Sequence, residues 1–367
     1  MADPEERAEI IRRQADDLAS SIGGRAVIDP ELLEEVTFLV EWPRAFVGKF
    51  AREYLALPEA CVITPMKDHQ RYFPVREPGG SLMPVFICVA NGGDNAVDVV
   101  RAGNEKVLAA RLADARFFYE EDMKRPLAER VADLRGVVFQ EKLGTMYEKA
   151  VRVGRLASEL LLGAPEAALA ERTALLAKAD LVTSVVREFT ELQGVMGREY
   201  ALRHGEDRIV AEAIFEHYLP RFAGDIIPAS LLGAALSVAD KIDTLVGYFS
   251  IGLVPSGSAD PYALRRQAAG AVSVHAQWRF ALGLDSLVAR AAGLFGSARA
   301  AEDEARQAQL VEGVMSFIQA RLRASLEEAG HRHDIADAVL AAGCGHPACV
   351  FERAQAVAQV VDEAWFA

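Results

Sequence analysis

Side chains that could do chemistry concentrate in one stretch of this 367-residue sequence, from Glu216 to Arg266. The stretch begins with EHYLPRFAGD, in which His217 precedes a turn rich in Pro and Gly. It continues with ADKIDTLVG, where Asp240 and Asp243 are three residues apart and share one helix face. Imidazole and carboxylate groups bind divalent cations that activate water. The alternative is structural, because buried acids also form hydrogen bonds to neighbouring backbone or to a lysine such as Lys178.

The stretch ends in DPYALRR, which predicts a helix that begins at Pro261 and is capped by Asp260. This cap would hold Arg265 and Arg266 in a fixed direction, and Arg221 lies in the preceding turn. Guanidinium groups bind phosphate in a bidentate manner, but they bind structural carboxylates equally well. The three arginines are therefore candidates for phosphate contact, with carboxylate pairing as the alternative.

A second polar cluster lies in TPMKDHQRYFPV, where hydrogen-bond donors are interleaved with an aromatic residue. Its members are Lys67, His69, Gln70, Arg71 and Tyr72. Such a combination suits single-stranded nucleic-acid ends, whose bases stack and whose phosphates accept hydrogen bonds. A strand with a solvated polar face would have the same composition.

The elements that must position these groups are mostly helical, because Ala is abundant and strand-like runs are few. Helical periodicity predicts, among others, helices over 4–22, 30–40, 166–186, 298–329 and 347–365. Strand-like runs occur at 60–64, 71–75 and 85–90. The turn signal at 77–80 joins the last two runs, so a small antiparallel sheet is predicted there, as the only sheet of the chain.

Composition limits the class of protein. A hydrophobic content of 51% is enough for sizeable cores, and no apolar run approaches the roughly 20 residues of a membrane-spanning helix. The polar N-terminus carries no leader pattern, so a cytoplasmic location is expected. The net charge of −13 argues against a surface that is basic throughout, but not against a local basic face. Cys344 and Cys349 flank His346, yet their spacing does not fit a zinc knuckle.

The segments EHYLPRFAGD, ADKIDTLVG and DPYALRR resemble the central signature of the bacterial glycyl-tRNA synthetase beta subunit family. LLEEVTFLVEWP, TPMKDHQRYFPV and VVFQEKLGTMYEK resemble the same family. The resemblance implies an α2β2 enzyme whose alpha subunit carries the class II site for glycine and uses ATP and Mg. This chain would contact the alpha subunit and tRNA-Gly, would bind no cofactor itself and would have no catalytic residue. It is expected to be a central portion without the family's N-terminal region and C-terminal anticodon-binding domain.

The resemblance also implies a relationship in fold to HD-domain phosphohydrolases, which hold metal with an early His, a His-Asp pair and a late Asp. Here the early helix at 147–153 has no His, and the pair position at 176–181 offers Asp180 without one. Lys178 beside it would repel a cation. We therefore expect a degenerate, structural core without metal. Its members are Asp180, His217, Asp240 and Asp243.

The predicted fold is mainly α: a small N-terminal α+β unit with an antiparallel sheet, followed by an all-helical HD-domain-like bundle. The expected domains are 1–145, 146–295 and a helical extension over 296–367. The expected function is a tRNA-binding module, with Lys67, His69, Arg71, Arg221, Arg265 and Arg266 as candidate contacts. Two alternatives stay open at this point: a metal-dependent phosphohydrolase and a purely architectural module that binds only the alpha subunit.

Overall fold

The computed structural model describes residues 3–92, 97–295, 301–361 and 363, with the side chains of all of these except 301–303. The helices are α1 (Pro4–Ser21), α2 (Pro30–Leu39), α3 (Glu59–Thr64), α4 (Val97–Met123), α5 (Leu127–Arg130), α6 (Met146–Leu160), α7 (Ala167–Ala177), α8 (Ser184–Glu188), α9 (Val195–Arg203), α10 (Arg208–Glu216), α11 (Leu231–Ser250), α12 (Leu264–Trp278), α13 (Leu284–Phe295), α14 (Ala301–Glu328), α15 (His333–Ala341) and α16 (Pro347–Val360). The strands are β1 (Arg25–Ala26), β2 (Pro43–Lys49), β3 (Phe73–Arg76), β4 (Leu82–Asn91), β5 (Val138–Gln140) and β6 (Gly144–Thr145). The predicted mainly α fold with an N-terminal antiparallel sheet is confirmed.

The N-terminal sheet is antiparallel, with strand order β1-β3-β4-β2. The predicted hairpin is confirmed, since β3 and β4 pair across a turn in which the Gly80 N–H donates to the Glu77 carbonyl. Helices α1 and α2 contribute Ile11 and Leu33 to one core with Phe73 and Ile87 of the sheet. Both helices begin within one residue of their predicted starts, and in each an Asp side chain caps a helix that starts with Pro.

Two predictions about strands were wrong. The run at 60–64 is helix α3, because Pro58 sets the start and the apolar side chains of Cys61 and Val62 are buried on one helix face. The predicted single sheet is joined by a second, two-stranded one formed by β5 and β6. Strand β2 was not predicted; it pairs with β4 from Pro43 opposite Asn91 to Lys49 opposite Val85.

The predicted helix at 166–186 was also wrong, because the chain turns near Lys178. Helix α7 ends there, and a 3-10 turn over Ala179–Val182 separates it from α8. The Thr183 hydroxyl donates to the Asp180 carbonyl at 2.6 Å and stabilises the turn. The predicted start at 298 and the predicted end at 365 of two later helices lie outside the described residues.

Helix α11 is the centre of the helical core. Most of its residues are buried on every side, and it packs against α6, α7, α10, α12, α13 and α14. A helix that is apolar around its whole circumference must be surrounded by other elements. Lys241 and Asp243 are buried polar exceptions within this helix, so their partners have to lie inside the protein.

The chain forms two compact units. One contains the chain up to Arg125 together with Ser184–Leu192, and the other contains Pro126–Thr183 and the chain from Gln193 onward. The returning segment is bound to the first unit through Asp122, which accepts hydrogen bonds from the Ser184 N–H at 2.8 Å and the Val185 N–H at 2.9 Å. This division reflects how the residues pack and does not test which segments fold independently. The three predicted domains therefore stay a prediction. Among the described residues, no helix combines the length and apolarity needed to cross a bilayer.

Candidate functional site

Helices α6 and α11 carry complementary charges at matching spacing. Lys149 and Arg152 lie three residues apart on α6, opposite Asp240 and Asp243 on α11. Asp243 has no exposed surface, and it accepts hydrogen bonds from Arg152 Nε at 2.6 Å and Lys149 Nζ at 3.1 Å. Lys149 also donates to the Asp240 carbonyl at 3.1 Å. This pairing holds the two helices in one axial register.

Local capping determines where both helices begin. Thr145 and Glu148 form a reciprocal capping box at the start of α6, immediately before Lys149. At the start of α11, the Ser230 side chain accepts from the Gly233 N–H, while Glu216 accepts from the Ala229 and Ser230 N–H groups. The capping side chains therefore fix the positions of the charged residues along each helix.

Lys178, at the end of α7, brings a third cation to the core. Its Nζ lies 3.2 Å from Asp240 Oδ1, and Lys149 Nζ lies 3.3 Å from the same oxygen. Burial alone would raise the pKa of Asp240, but Lys149 and Lys178 outweigh it and lower that pKa, so the carboxylate stays ionised. Burial lowers the pKa of Lys178, and Asp240 partly opposes this shift.

Each of these cations also lies over an aromatic ring. The distances to the ring centroids are 4.6 Å for Lys149 over Phe139, 4.2 Å for Arg152 over Phe295 and 4.4 Å for Lys178 over Tyr218. The negative face of an aromatic ring attracts a cation, and the attraction is stronger where water is excluded. The rings thus help to compensate for the water that these groups lose on burial.

His217 is a buried, neutral imidazole. Its Nδ1 donates to the Ile214 carbonyl at 2.5 Å, and its Nε2 is buried without a hydrogen-bond partner. Burial lowers the pKa of His217 well below its usual value, and the charge of Lys178 lowers it further. The ring centroid lies 3.8 Å from that of Tyr218, so the imidazole also packs in the core.

Asp180 caps the helix that follows it rather than facing the other acids. Its Oδ2 accepts from the Gly194 N–H at 2.5 Å and the Gly197 N–H at 3.1 Å, at the start of α9. Burial raises the pKa of Asp180 to about 6, although both N–H groups oppose the shift. A Cβ at Gly197 would lie 2.9 Å from Asp180 Oδ2, so a side chain there would displace this cap.

The residues present do not fit a divalent metal ion. Asp240 Oδ1 is held between two ammonium groups, and both oxygens of Asp243 accept from cations. Among the predicted core members, His217 Nε2 and Asp180 Oδ1 are buried without a hydrogen-bond partner, but Asp180 is turned to the start of α9 by its other oxygen, so these two atoms do not make up a metal site. Within the described residues, no group of three or more His, Cys, Asp or Glu side chains is placed to hold a metal.

The first predicted basic cluster is paired with acids of its own unit. The bonds are Lys67 Nζ to Asp29 at 2.9 Å, His69 Nε2 to Glu191 at 2.7 Å and Arg71 Nε to Glu35 at 2.5 Å. Tyr72 is buried and stacks on Phe86, with ring centroids 4.5 Å apart. This cluster therefore has the pairing of a structural network at a partly exposed surface.

The three arginines of the second candidate group have different surroundings. Arg221 pairs with Asp225 at 2.8 Å, and Arg265 Nη2 donates to the Gly257 carbonyl at 2.5 Å. Arg266 is exposed, and among the described residues it has no hydrogen bond or ion pair. Asp260 accepts from the Leu264 N–H at 2.8 Å and the Arg265 N–H at 2.9 Å. The predicted helix start at Pro261 was wrong, since α12 begins at Leu264.

Sequence reasoning missed Lys149 and Arg152, the residues that neutralise the acids. A signal was present: two basic residues three apart on α6 match two acids three apart on α11. The metal-site hypothesis gives importance only to His on this helix, so it assigns no role to the basic residues.

Asp243→Asn is expected to lower the free energy of unfolding by about 3–5 kcal/mol, because it leaves Lys149 and Arg152 buried without full compensation. Urea unfolding of both proteins measures this loss. The control is Glu159→Gln, which removes the exposed ion pair with Arg290 and should change stability by about 1 kcal/mol or less. Equal effects of the two substitutions would contradict the assignment.

The stability of the protein is expected to depend on pH through Lys241. Its Nζ donates to the Leu219 carbonyl and to Ser237 Oγ, both at 2.8 Å, and burial lowers its pKa to about 7 against the pull of Asp240. Between pH 7 and 10.5 the unfolded chain binds this proton and the folded chain releases it, so the free energy of unfolding rises with pH. The rise in the free energy of unfolding is about 1.4 kcal/mol per pH unit at most.

Lys241→Met should remove this contribution. The free energy of unfolding of the original protein, minus that of the variant, should therefore increase as pH rises from 7 to 10. Urea unfolding of both proteins at each pH measures this difference. Lys142→Met, at an exposed position, should give a curve parallel to that of the original protein. A parallel curve for Lys241→Met would refute the lowered pKa.

Comparison with known proteins identifies the family. Residues 1–341 match the family model described as glycyl-tRNA synthetase beta subunit. The glycine–tRNA ligase beta subunit of Clostridioides difficile strain 630 is 50% identical over 341 residues, which cover 92% of this chain and 49% of that protein. The corresponding protein of Moorella thermoacetica is 48% identical over 372 residues, covering 100% and 53%. The chain spans about half the length of these relatives. On these matches, the chain belongs to the glycyl-tRNA synthetase beta subunit family.

Proposed function

We propose that this chain is a beta-subunit module that supports ATP-dependent glycylation of tRNA-Gly. In this proposal it binds tRNA and the alpha subunit within an α2β2 class II enzyme in the cytoplasm, and it has no aminoacylation site of its own. ATP and Mg act through the alpha subunit, and this chain binds no cofactor. Membership in the beta-subunit family supports the assignment to glycyl-tRNA synthesis.

The non-catalytic role is supported chiefly by one observation: the acidic side chains of the core form ion pairs with basic side chains of the same protein. Asp240 and Asp243 are bound by Lys149, Arg152 and Lys178, so they are not available to hold a metal or to activate water. A buried charge network of this kind fixes the geometry of α6, α7 and α11. The arrangement favours a rigid scaffold over a hydrolase.

Support for tRNA contact comes mainly from Arg266. An RNA phosphate would have to displace carboxylates from Lys67, His69, Arg71 and Arg221, whereas Arg266 has no such partner among the described residues. An exposed guanidinium is suited to bidentate phosphate binding. The four paired residues would contribute less, because their present bonds would be lost on binding.

Support for contact with the alpha subunit comes from apolar side chains at the end of α2. Phe38 is 67% exposed, Leu39 61% and Trp42 61%. Large exposed apolar residues that lie together mark protein interaction surfaces more often than single ones do. Aromatic residues are also enriched among those that contribute most to binding.

Gel-shift titration of tRNA-Gly with the purified chain tests the RNA part of the proposal. Binding should weaken by more than about tenfold between roughly 50 and 200 mM salt, because each phosphate contact releases counterions. A DNA duplex of similar charge is the control and should bind more weakly. An affinity for tRNA that does not change with salt concentration, or no binding to tRNA at all, would favour the architectural alternative.

Trp42→Ala should weaken association with the alpha subunit by about tenfold or more, because it removes an exposed aromatic anchor. Sedimentation of the mixed subunits measures this, and Val99→Ala, which is 76% exposed in the same unit, is the matched control. Glycylation assays on the same mixtures relate binding to charging of tRNA-Gly. Stoichiometric divalent metal with phosphodiester turnover by this chain would contradict the whole proposal.

A further inference from the structure

A cleft of about 390 Å³ opens beside the buried charge network in the helical unit. Its lining includes Lys178, Tyr218, Tyr262 and Arg266. Protein sites for small molecules commonly have volumes of roughly 300–1,000 Å³, so one such ligand fits. The cleft is lined by hydrogen-bond donors, aromatic rings and the carboxylate of Asp240, and this set restricts the chemistry of the ligand.

Several donors in the cleft are not saturated. Lys178 Nζ has one carboxylate neighbour, Asp240, although an ammonium group carries three N–H bonds. The Tyr218 hydroxyl is buried without a hydrogen-bond partner. Arg266, as described above, has none either within the described residues. A buried polar group without a partner is uncommon in folded proteins, so the Tyr218 hydroxyl in particular points to a ligand that forms hydrogen bonds.

The charge balance favours an anion in the cleft. The Asp240 carboxylate lies between Lys149 and Lys178, and Asp243 lies between Lys149 and Arg152. The carboxylates are thus outnumbered by the cations bound to them, and Arg266 adds a further positive charge to the cleft. An anion would gain attraction from these cations without displacing any of the existing ion pairs.

An aromatic surface adjoins these donors. The Tyr262 ring is 42% exposed and leans on buried Tyr248, with ring centroids 4.4 Å apart and an angle of 37° between the planes. Contact with a second ring supports Tyr262, and Tyr262 lines the cleft. Nucleobases stack on such rings whatever their sequence.

We propose that this cleft binds a nucleotide, with the phosphate held by Lys178 and Arg266 and the base stacked on Tyr262. The ligand is either a free mononucleotide or a terminal nucleotide of single-stranded RNA. The inference concerns the cleft alone and does not depend on the role in glycylation. Its failure can be told apart from failure of the proposed function, because binding to tRNA-Gly and to the alpha subunit is measured separately by gel shift and sedimentation.

Calorimetric titration of the purified chain with AMP, adenosine and inorganic phosphate tests the proposal. AMP should bind at one site, and about tenfold or more tightly than either of its parts, since it alone engages both the donors and the ring. Arg266→Ala should weaken AMP and phosphate by about tenfold. Tyr262→Ala should weaken AMP by about tenfold and leave phosphate unchanged.

Both substituted residues are exposed, so the variants should fold, which thermal unfolding checks. Arg155→Ala is the matched control, because Arg155 is exposed in the same unit but does not line the cleft. A single-stranded RNA hexamer that binds more tightly than AMP and responds to the same substitutions identifies an RNA end as the source, whereas weaker binding identifies a free nucleotide. No binding of AMP, or binding that both substitutions leave unchanged, would overturn the proposal.

Discussion

The structure of the helical unit depends on the ion pairs that Asp243 forms in the protein interior. The carboxylate is fully buried, and Arg152 and Lys149 contact its two oxygens. Transfer of a charge into a protein interior is strongly unfavourable unless partners replace its hydration. The positions of α6 and α11 are therefore tied to each other, and Asp240 extends the same constraint to α7 through Lys178.

This charge network also decides what chemistry the core can perform. A metal ion requires carboxylate and imidazole lone pairs, and here the carboxylate lone pairs are directed at ammonium and guanidinium groups. His217 keeps one lone pair, but burial and neighbouring positive charge hold it neutral and isolated. The centre of the core therefore holds carboxylates that are paired with cations rather than carboxylates that are free to bind a metal.

The sequence predicted features that depend on neighbours along the chain. Helical periodicity predicted α1 and α2, and the turn at 77–80 predicted the hairpin. The helical face shared by Asp240 and Asp243 followed from their spacing. The partner of Asp243 could not be predicted in this way, because Arg152 is 91 residues away along the chain and nothing local specifies that pairing. The run at 60–64 failed for a related reason: its apolar residues fit a buried helix as well as a strand.

The return of Ser184–Leu192 to the first unit has a consequence for synthesis of the protein. The chain leaves that unit after Arg125, forms part of the helical unit and comes back, so Asp122 obtains its Ser184 and Val185 partners only late. The N-terminal unit cannot be completed on the ribosome until about residue 192 has emerged. By then the α6 and α7 segments have also been synthesised, but α11 has not. Lys149 and Arg152 therefore lack their partner Asp243 until α11 is made.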